Sequence, residues 1–382
     1  MNPVIACPLA AALLLALSAP ATAAVTVAKA GDHTISFEGM LQGDANWYDS
    51  DRSDLGDDRV GRIRRAELIV KGAGGGPLDW VVGWDAKAEK FLDVNLRGRW
   101  DSGDYKHSLQ AGQFKQPNSL EELSSTRNND FISKAGVTNT FVVGRRLGVG
   151  YSVRRGPVSL TASVFGDELT SGQAEGAGWA ARGTWAPIHA DGRTLHLGVN
   201  HARHDVAAQT LRLRARPQAD LTDARLVDTG PLPATHQLGI TGLEAMWIDG
   251  PLKLQGEYVR AHGQRHGLSD IRGNGSYASV MYTLGGHAWK YDNGVPSMPK
   301  ADEVAGGIWQ LGARIDQLDL DDGAVRGGAM QTLTLGVNWY VTPYAKLALN
   351  WVKVDSERYN AAAGAVLADD PTITELRAQF HW

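Results

Sequence analysis

One pattern governs this chain from about residue 34 to its last residue: short runs in which apolar and polar side chains alternate. In the stretch 330–341, Leu333, Leu335, Val337, Trp339 and Val341 take one face. Thr332, Thr334, Gly336, Asn338 and Tyr340 take the other. Successive side chains of an extended strand point to opposite sides, so this is the period of a strand and not of a helix. The same dyad sets Val158, Leu160, Ala162 and Val164 against Ser159, Thr161 and Ser163. It sets Leu195, Leu197 and Val199 against His196, Gly198 and Asn200, and Leu347, Leu349 and Trp351 against Lys346, Ala348 and Asn350. No stretch of 18 apolar residues follows residue 30, so no membrane-spanning helix is expected. A mean hydropathy of −0.25 agrees. It does not exclude a membrane protein built of strands, in which half of each strand is polar.

Counting such runs gives about sixteen strands, the size of an outer-membrane barrel. They fall near 34–47, 61–72, 78–87, 91–100, 106–115, 146–154, 158–167, 178–187, 193–205, 236–248, 251–262, 274–284, 305–318, 330–341, 345–355 and 373–382. Most connections alternate between short turns (74–77, 101–104, 155–157, 249–251, 342–344) and long loops (48–60, 116–145, 206–235, 356–372). One rim of turns and one of loops is the pattern of an antiparallel transmembrane barrel. Two connections break it: 88–90 is short, and 285–304 is long where a turn is due. The polar faces are rich in Gly, Ser, Thr and Asn, which leaves room for a lumen. Trp47, Trp100, Trp185 and Trp247 fall at or near strand ends, where aromatic girdles belong. The last run alternates Thr374, Leu376, Ala378, Phe380 and Trp382 with Glu375, Arg377, Gln379 and His381. Such a strand can close the sheet on strand one and leave no edge. The expected fold is therefore all-β, a transmembrane antiparallel barrel of about sixteen strands, with residues 25–382 as one unit.

Residues 1–24 read as a removable export signal. They carry no charge, a Leu/Ala-rich core over 9–19, and an A-x-A-type site with cleavage near Ala23 or Ala24. The basic start usual in such signals is missing. The chain's only cysteine, Cys7, leaves with that segment, so an exported chain would hold its fold without disulfides. A net charge of −4 excludes a generic nucleic-acid-binding protein. The 45 glycines fit tight turns and small lumen-facing positions. The expected location is the bacterial outer membrane.

No nucleophile elbow, phosphate-binding Walker loop or HExxH motif occurs, so no enzyme activity and no cofactor is expected. His262 and His266 have an i,i+4 spacing, but on strand and loop their rings need not converge on a metal. His201 and His204 read as a rim feature. Asp321-Asp322 and Asp369-Asp370 fall in expected long loops and read as solvated surface. The arginines are more informative. Arg64-Arg65 lie in the second strand, Arg127 in the long connection after the fifth, and Arg145-Arg146 at its end. Arg212, Arg214 and Arg216 recur at period two, so an extended segment would present three guanidiniums on one side, about 7 Å apart. Guanidinium forks bind phosphate or carboxylate bidentately. The alternative is a solvated basic loop.

Several stretches resemble the phosphate-selective porin O/P family of Gram-negative outer membranes. They are Arg62-Ile-Arg-Arg-Ala-Glu-Leu-Ile-Val-Lys-Gly72, Gly112-Gln-Phe-Lys-Gln-Pro-Asn-Ser-Leu-Glu-Glu-Leu-Ser-Ser125, Gly144-Arg-Arg-Leu-Gly-Val-Gly150, Val164-Phe-Gly-Asp167 and Leu335-Gly-Val-Asn-Trp-Tyr340. The resemblance implies a homotrimer of sixteen-stranded barrels whose third loop folds inward as a constriction where basic residues bind anions. It assigns Arg64 and Arg65 to the family's strand-two pair and Arg127 to a basic residue of the constriction loop. It places Arg212, Arg214 and Arg216 in a loop that dips into the pore, and makes Asp93 a conducting-zone carboxylate. Lys115, Arg145 and Arg146 belong to the matching blocks and complete the expected pore lining. The partners implied are small anions, phosphate or polyphosphate above all, with outer-membrane lipid and lipopolysaccharide around the barrel. A general channel, or a barrel enzyme or receptor with a plugged pore, are the alternatives. One departure is Glu67, which shares a face with Arg65 and can neutralise it or repel an anion. Strict alternation also puts Arg64 and Arg65 on opposite faces, so both reach the lumen only with a bulge or at the rim.

Overall fold

A computed structural model describes residues 25–382 except 51–54, 57, 75, 171, 173, 293 and 298–305. The expected signal segment and Cys7 lie outside the described residues. Sixteen antiparallel strands close into a barrel. In chain order they are β1 (His33–Asp49), β2 (Arg59–Ala73), β3 (Leu78–Asp85), β4 (Lys90–Ser102), β5 (Tyr105–Lys115), β6 (Arg145–Arg155), β7 (Val158–Phe165) and β8 (Gly178–Ala190). They continue as β9 (Arg193–Asp205), β10 (Thr235–Asp249), β11 (Leu252–Arg265), β12 (Ile271–Thr283), β13 (Ile308–Asp322), β14 (Val325–Thr342), β15 (Ala345–Asn360) and β16 (Thr372–His381). Each expected run has its strand. Closure is made by β16 on β1, from Met40 opposite His381 to Asp49 opposite Thr372. Two backbone hydrogen bonds between Gly39 and Trp382 carry the seam to the final residue.

Exposure decides which face is which. Ile315 and Val164 are each 62 % exposed, and Leu160, Leu243, Val199, Leu335 and Leu349 share their side of the sheet. Gln42, Gln310, Asn338 and Asn350 on the other side are fully buried. A water-soluble chain inverts that order, whereas a barrel in lipid requires it. Trp309 and Trp339 stack at 4.9 Å near the rim of short turns, and Trp100 and Trp185 are exposed at the same end. Trp247 is half-buried beneath the Arg193 guanidinium, 5.8 Å from its ring.

Both irregular connections have local causes. At 86–89 one oxygen of Asp85 accepts the backbone N–H groups of Ala66, Lys87 and Ala88, which fastens a tight turn on the loop rim. The long connection at 284–307 belongs to the turn rim, and its described residues up to 297 enter the barrel. Trp289 is buried against Met246, Ile248 and Met281, and a small hairpin pairs Lys290–Asp292 with Val295–Ser297. One expectation is corrected: Asp321 and Asp322 are not in a long loop, because β13 and β14 continue past the lipid band to a two-residue turn. There Asp321 accepts from Gly328 N–H and Asp322 from Arg272 N–H, both at 2.7 Å.

The main apolar core lies inside the barrel and is built by loops. The connection 116–144 carries α1 (Leu120–Leu123) and α2 (Gly136–Phe141). Its Val137, Phe141 and Val143 meet Leu213, Ala215, Leu226 and Val227 of the connection 206–234. Both pack on wall residues that include Ile240, Val259, Leu318 and Val352. The lumen is therefore filled on the β10–β16 side.

Candidate functional site

The inward loop 116–144 is held by that wall. Glu257 of β11 accepts hydrogen bonds from Leu120 N–H at 2.9 Å, Glu121 N–H at 2.7 Å and Ser119 Oγ at 3.2 Å. The two backbone N–H groups are donors that the start of α1 leaves unpaired. Tyr277 fixes the same carboxylate at 2.8 Å. Asn350 accepts from Ile132 N–H and Asp316 from Gly136 N–H, while Asn338 and Lys346 donate to the carbonyls of Asp130 and Asn129. Arg377 donates to the Ile132 carbonyl at 2.9 Å and pairs with Asp44 at 2.6 Å. Sequence reasoning missed these anchors. Their one signal is size: long polar side chains on strand faces otherwise rich in small residues.

Held this way, the loop leaves a passage against β1–β8. Two adjoining cavities of about 390 and 750 Å³ run along it and share Lys71, Val81, Asp93, Lys115, Leu123 and Val295. Their linings hold seven basic side chains (Lys71, Arg97, Arg99, Lys115, Arg127, Arg145, Arg182) against four carboxylates (Glu38, Glu67, Asp79, Asp93). Excess positive charge in a narrow, low-dielectric channel concentrates anions. Pro296 and Ser297 of the turn-rim hairpin line the smaller cavity, and Arg182 donates to Gly294 of that hairpin at 2.9 Å.

The basic groups come paired. Lys71 and Arg127 share one oxygen of Glu38, at 2.8 and 3.1 Å. Arg145 grips Asp93 with two donors, at 3.0 and 3.2 Å. Arg97 and Arg99 both reach Asp79. In the loop, Lys115 and Lys134 flank Glu122. Burial works to raise the Glu122 pKa, but the ammonium groups of Lys134 and Lys115 outweigh it and hold it at about 2.

The remaining expected site residues divide into three groups. A β-bulge falls at the strand-two pair: Arg65 faces Gln42 and Ile63 faces Gly43, so Arg64 is the extra residue. The bulge overcomes strict alternation, and both side chains turn inward. Arg64 makes a two-donor contact with Asp220 at 2.9 and 3.0 Å, and Arg65 pairs with Glu67 at 3.2 Å. Arg146 is buried and is not among the residues lining the two cavities. Arg212 and Arg214 lie on the exposed side of their loop, with Leu213 and Ala215 in the core between them and half-buried Arg216 next in the alternation. Arg212 pairs with Asp228 at 2.5 Å, and Arg216 with Asp223 at 3.4 Å and the Thr222 carbonyl at 2.7 Å. The fold does not bring this trio into the two cavities. The histidine pair diverges as well: His262 bonds Asp270, while His266 stacks on His236.

A closed sixteen-stranded barrel with an apolar outer face, an inward loop and a charged passage beside it is an outer-membrane porin. The family described as "Phosphate-selective porin O and P" matches residues 35–382, and the chain belongs to it. Porin O of Pseudomonas aeruginosa is 27 % identical over 207 residues, 46 % of this chain and 47 % of that protein. The match thus spans about half the length of that relative. Among solved structures, OmpT of Vibrio cholerae superposes with a TM-score of 0.59 at 12 % identity, covering 94 % of this chain and all of the other. The anion-selective porin of Comamonas acidovorans gives 0.56 at 13 % identity, with 92 % of this chain and all of the other covered.

Proposed function

We propose that this porin passes small anions by passive diffusion, with phosphate or polyphosphate as the solute class. The observation that carries the reading is the excess of basic over acidic side chains along the passage. Arg127, Arg145 and Lys115 serve as stations beside Asp93. Arg64 and Arg65 hold the outer approach, Arg146 supports the base of the inward loop, and Arg212, Arg214 and Arg216 draw anions toward the mouth. Arg64, Arg65, Arg127, Arg145, Arg212 and Arg216 each already hold a carboxylate, so a passing anion exchanges with a fixed one and neither is held long. Release of that kind is what conduction needs. The chain works as a homotrimer in lipid and lipopolysaccharide after loss of residues 1–24, in line with family membership and with a trimer form of Vibrio cholerae OmpT.

Reversal potentials in a salt gradient across a planar bilayer test the reading, followed by titration of phosphate against chloride current. Anion preference with a saturable phosphate block supports it. Anion preference without block leaves a general anion channel, the second reading, which the pairing of Arg127 with Glu38 and of Arg145 with Asp93 favours. Cation preference overturns both.

A further inference from the structure

We propose that Glu38 is a built-in competing ligand: a carboxylate that occupies the anion site between Lys71 and Arg127 and sets how tightly the passage holds a permeating anion. The inference rests on the anion-conducting reading and makes it specific to one residue.

Glu38 points inward from β1, with its side chain 13 % exposed. Its two cations come from different parts of the fold, Lys71 from β2 and Arg127 from the inward loop. Both reach the same oxygen, Oε2, at 2.8 and 3.1 Å. That is the place one oxygen of a phosphate would take, since ammonium and guanidinium donors accept carboxylate and phosphate oxygens alike. Lys71 and Arg127 are 43 % and 25 % exposed, so both keep a side open to the smaller cavity. Ser124, Ser125 and Thr126 line the same cavity. Two cations on one oxygen, beside a cavity also lined by hydroxyl residues, form an anion site whose occupant is tethered to the wall.

A tethered ligand competes at an effective concentration in the millimolar range or above, whatever the bath contains. A free anion must displace it and leaves as it returns. Asp93 differs in kind, because its two oxygens both go to Arg145 at the start of β6 rather than to cations from two parts of the fold. Removing the charge of Glu38 should leave the Lys71–Arg127 gap open to solute anions, which then bind more tightly and block for longer.

The test is single-channel chloride current through the purified porin, with phosphate titrated in. Glu38→Gln keeps the shape and removes the charge, and the half-blocking phosphate concentration should fall about tenfold. Glu38→Asp keeps the charge but cannot span both partners, so a smaller fall is expected, and this variant serves if Gln fails to fold. Asp101→Asn, a change of equal charge at an exposed position near the turn rim, should leave the half-block where it is. Cation preference in the unmodified porin overturns the conducting reading and this inference together. An anion-preferring porin whose Gln and Asp variants block within twofold of the parent overturns this inference alone. So does an equal shift in Asp101→Asn.

Discussion

Arg64 of β2 and Asp220 of the connection 206–234 meet inside the barrel, the guanidinium holding one carboxylate oxygen with two donors at 2.9 and 3.0 Å. They are 156 residues apart in the chain. A bulge in one strand and the fold-in of a remote loop are both needed to bring them together. Their side chains are 29 % and 20 % exposed, between the surface and buried limits for an ion pair. Asp220→Asn should therefore cost about 1–2 kcal/mol of loop docking. Single-channel records should show more frequent steps between conductance levels, and a record as quiet as the parent's would exclude a role for the pair in holding the loop. Burial works to raise the Asp220 pKa, but Arg64 and Arg377 lower it below the ordinary carboxylate range. The contact is thus present above the usual carboxylate pKa and is lost only in more acid solution.

The carboxylate of Glu257 is the principal clamp on α1. Glu257→Leu leaves two backbone N–H groups without an acceptor, at about 1–3 kcal/mol each. Limited proteolysis of the folded porin should then cut between residues 116 and 144, where the parent resists. Equal resistance would show that the other anchors suffice.

Glu122 supplies a pH test of the same loop. Its pKa is held at about 2, so its contribution to docking is complete above the ordinary carboxylate pKa near 4.5 and is lost as the pH falls toward 2. Conductance corrected for bulk ion mobility should be flat between pH 8 and pH 5 so far as Glu122 governs it, and should change only in strongly acid solution. A transition centred near pH 4.5 would place Glu122 outside its ammonium cage.

Arg212, Arg214 and Arg216 do not line the passage, so their pull on anions is exerted at long range. Replacing Arg212, Arg214 and Arg216 together by Gln should lower anion conductance severalfold in dilute salt. The difference should shrink toward nothing near 1 M, where the Debye length is about 3 Å. A deficit that persists in high salt would instead mean direct binding.

The outer face gives a stability test. Leu335 is 46 % exposed on the apolar band, and an arginine there should cost about 2–4 kcal/mol of folding into bilayers. Urea titration of the lipid-inserted barrel measures it. No loss would mean that this face does not meet hydrocarbon.

The alternation of side chains determined the barrel. It is a local property, so β14 is legible in Leu333 to Val341 without knowledge of its neighbours. The closing strand is legible for the same reason, whereas the inward loop was implied by the family resemblance, which also pointed to Lys115, Arg127, Arg145 and Asp93 but not to Lys71, Arg97, Arg99 or Glu38. What most of the charges do was settled only by the tertiary structure, the Arg65–Glu67 pair being the exception. Arg65 is neutralised because Glu67 lies two residues along one strand face, which parity exposes. Glu38 faces Lys71 across 33 residues, Arg127 across 89, and Glu257 takes hold of α1 across 137, and no local period encodes such meetings. The bulge that turns Arg64 inward arises from the pairing of β1 with β2. Nor does the sequence show that Trp289 and the hairpin after it enter the barrel, because that depends on a pocket for Trp289 formed by β10 and β12. Strand period is written in neighbouring residues, whereas the pairing of charges across a lumen depends on where closure of the whole sheet sets each wall.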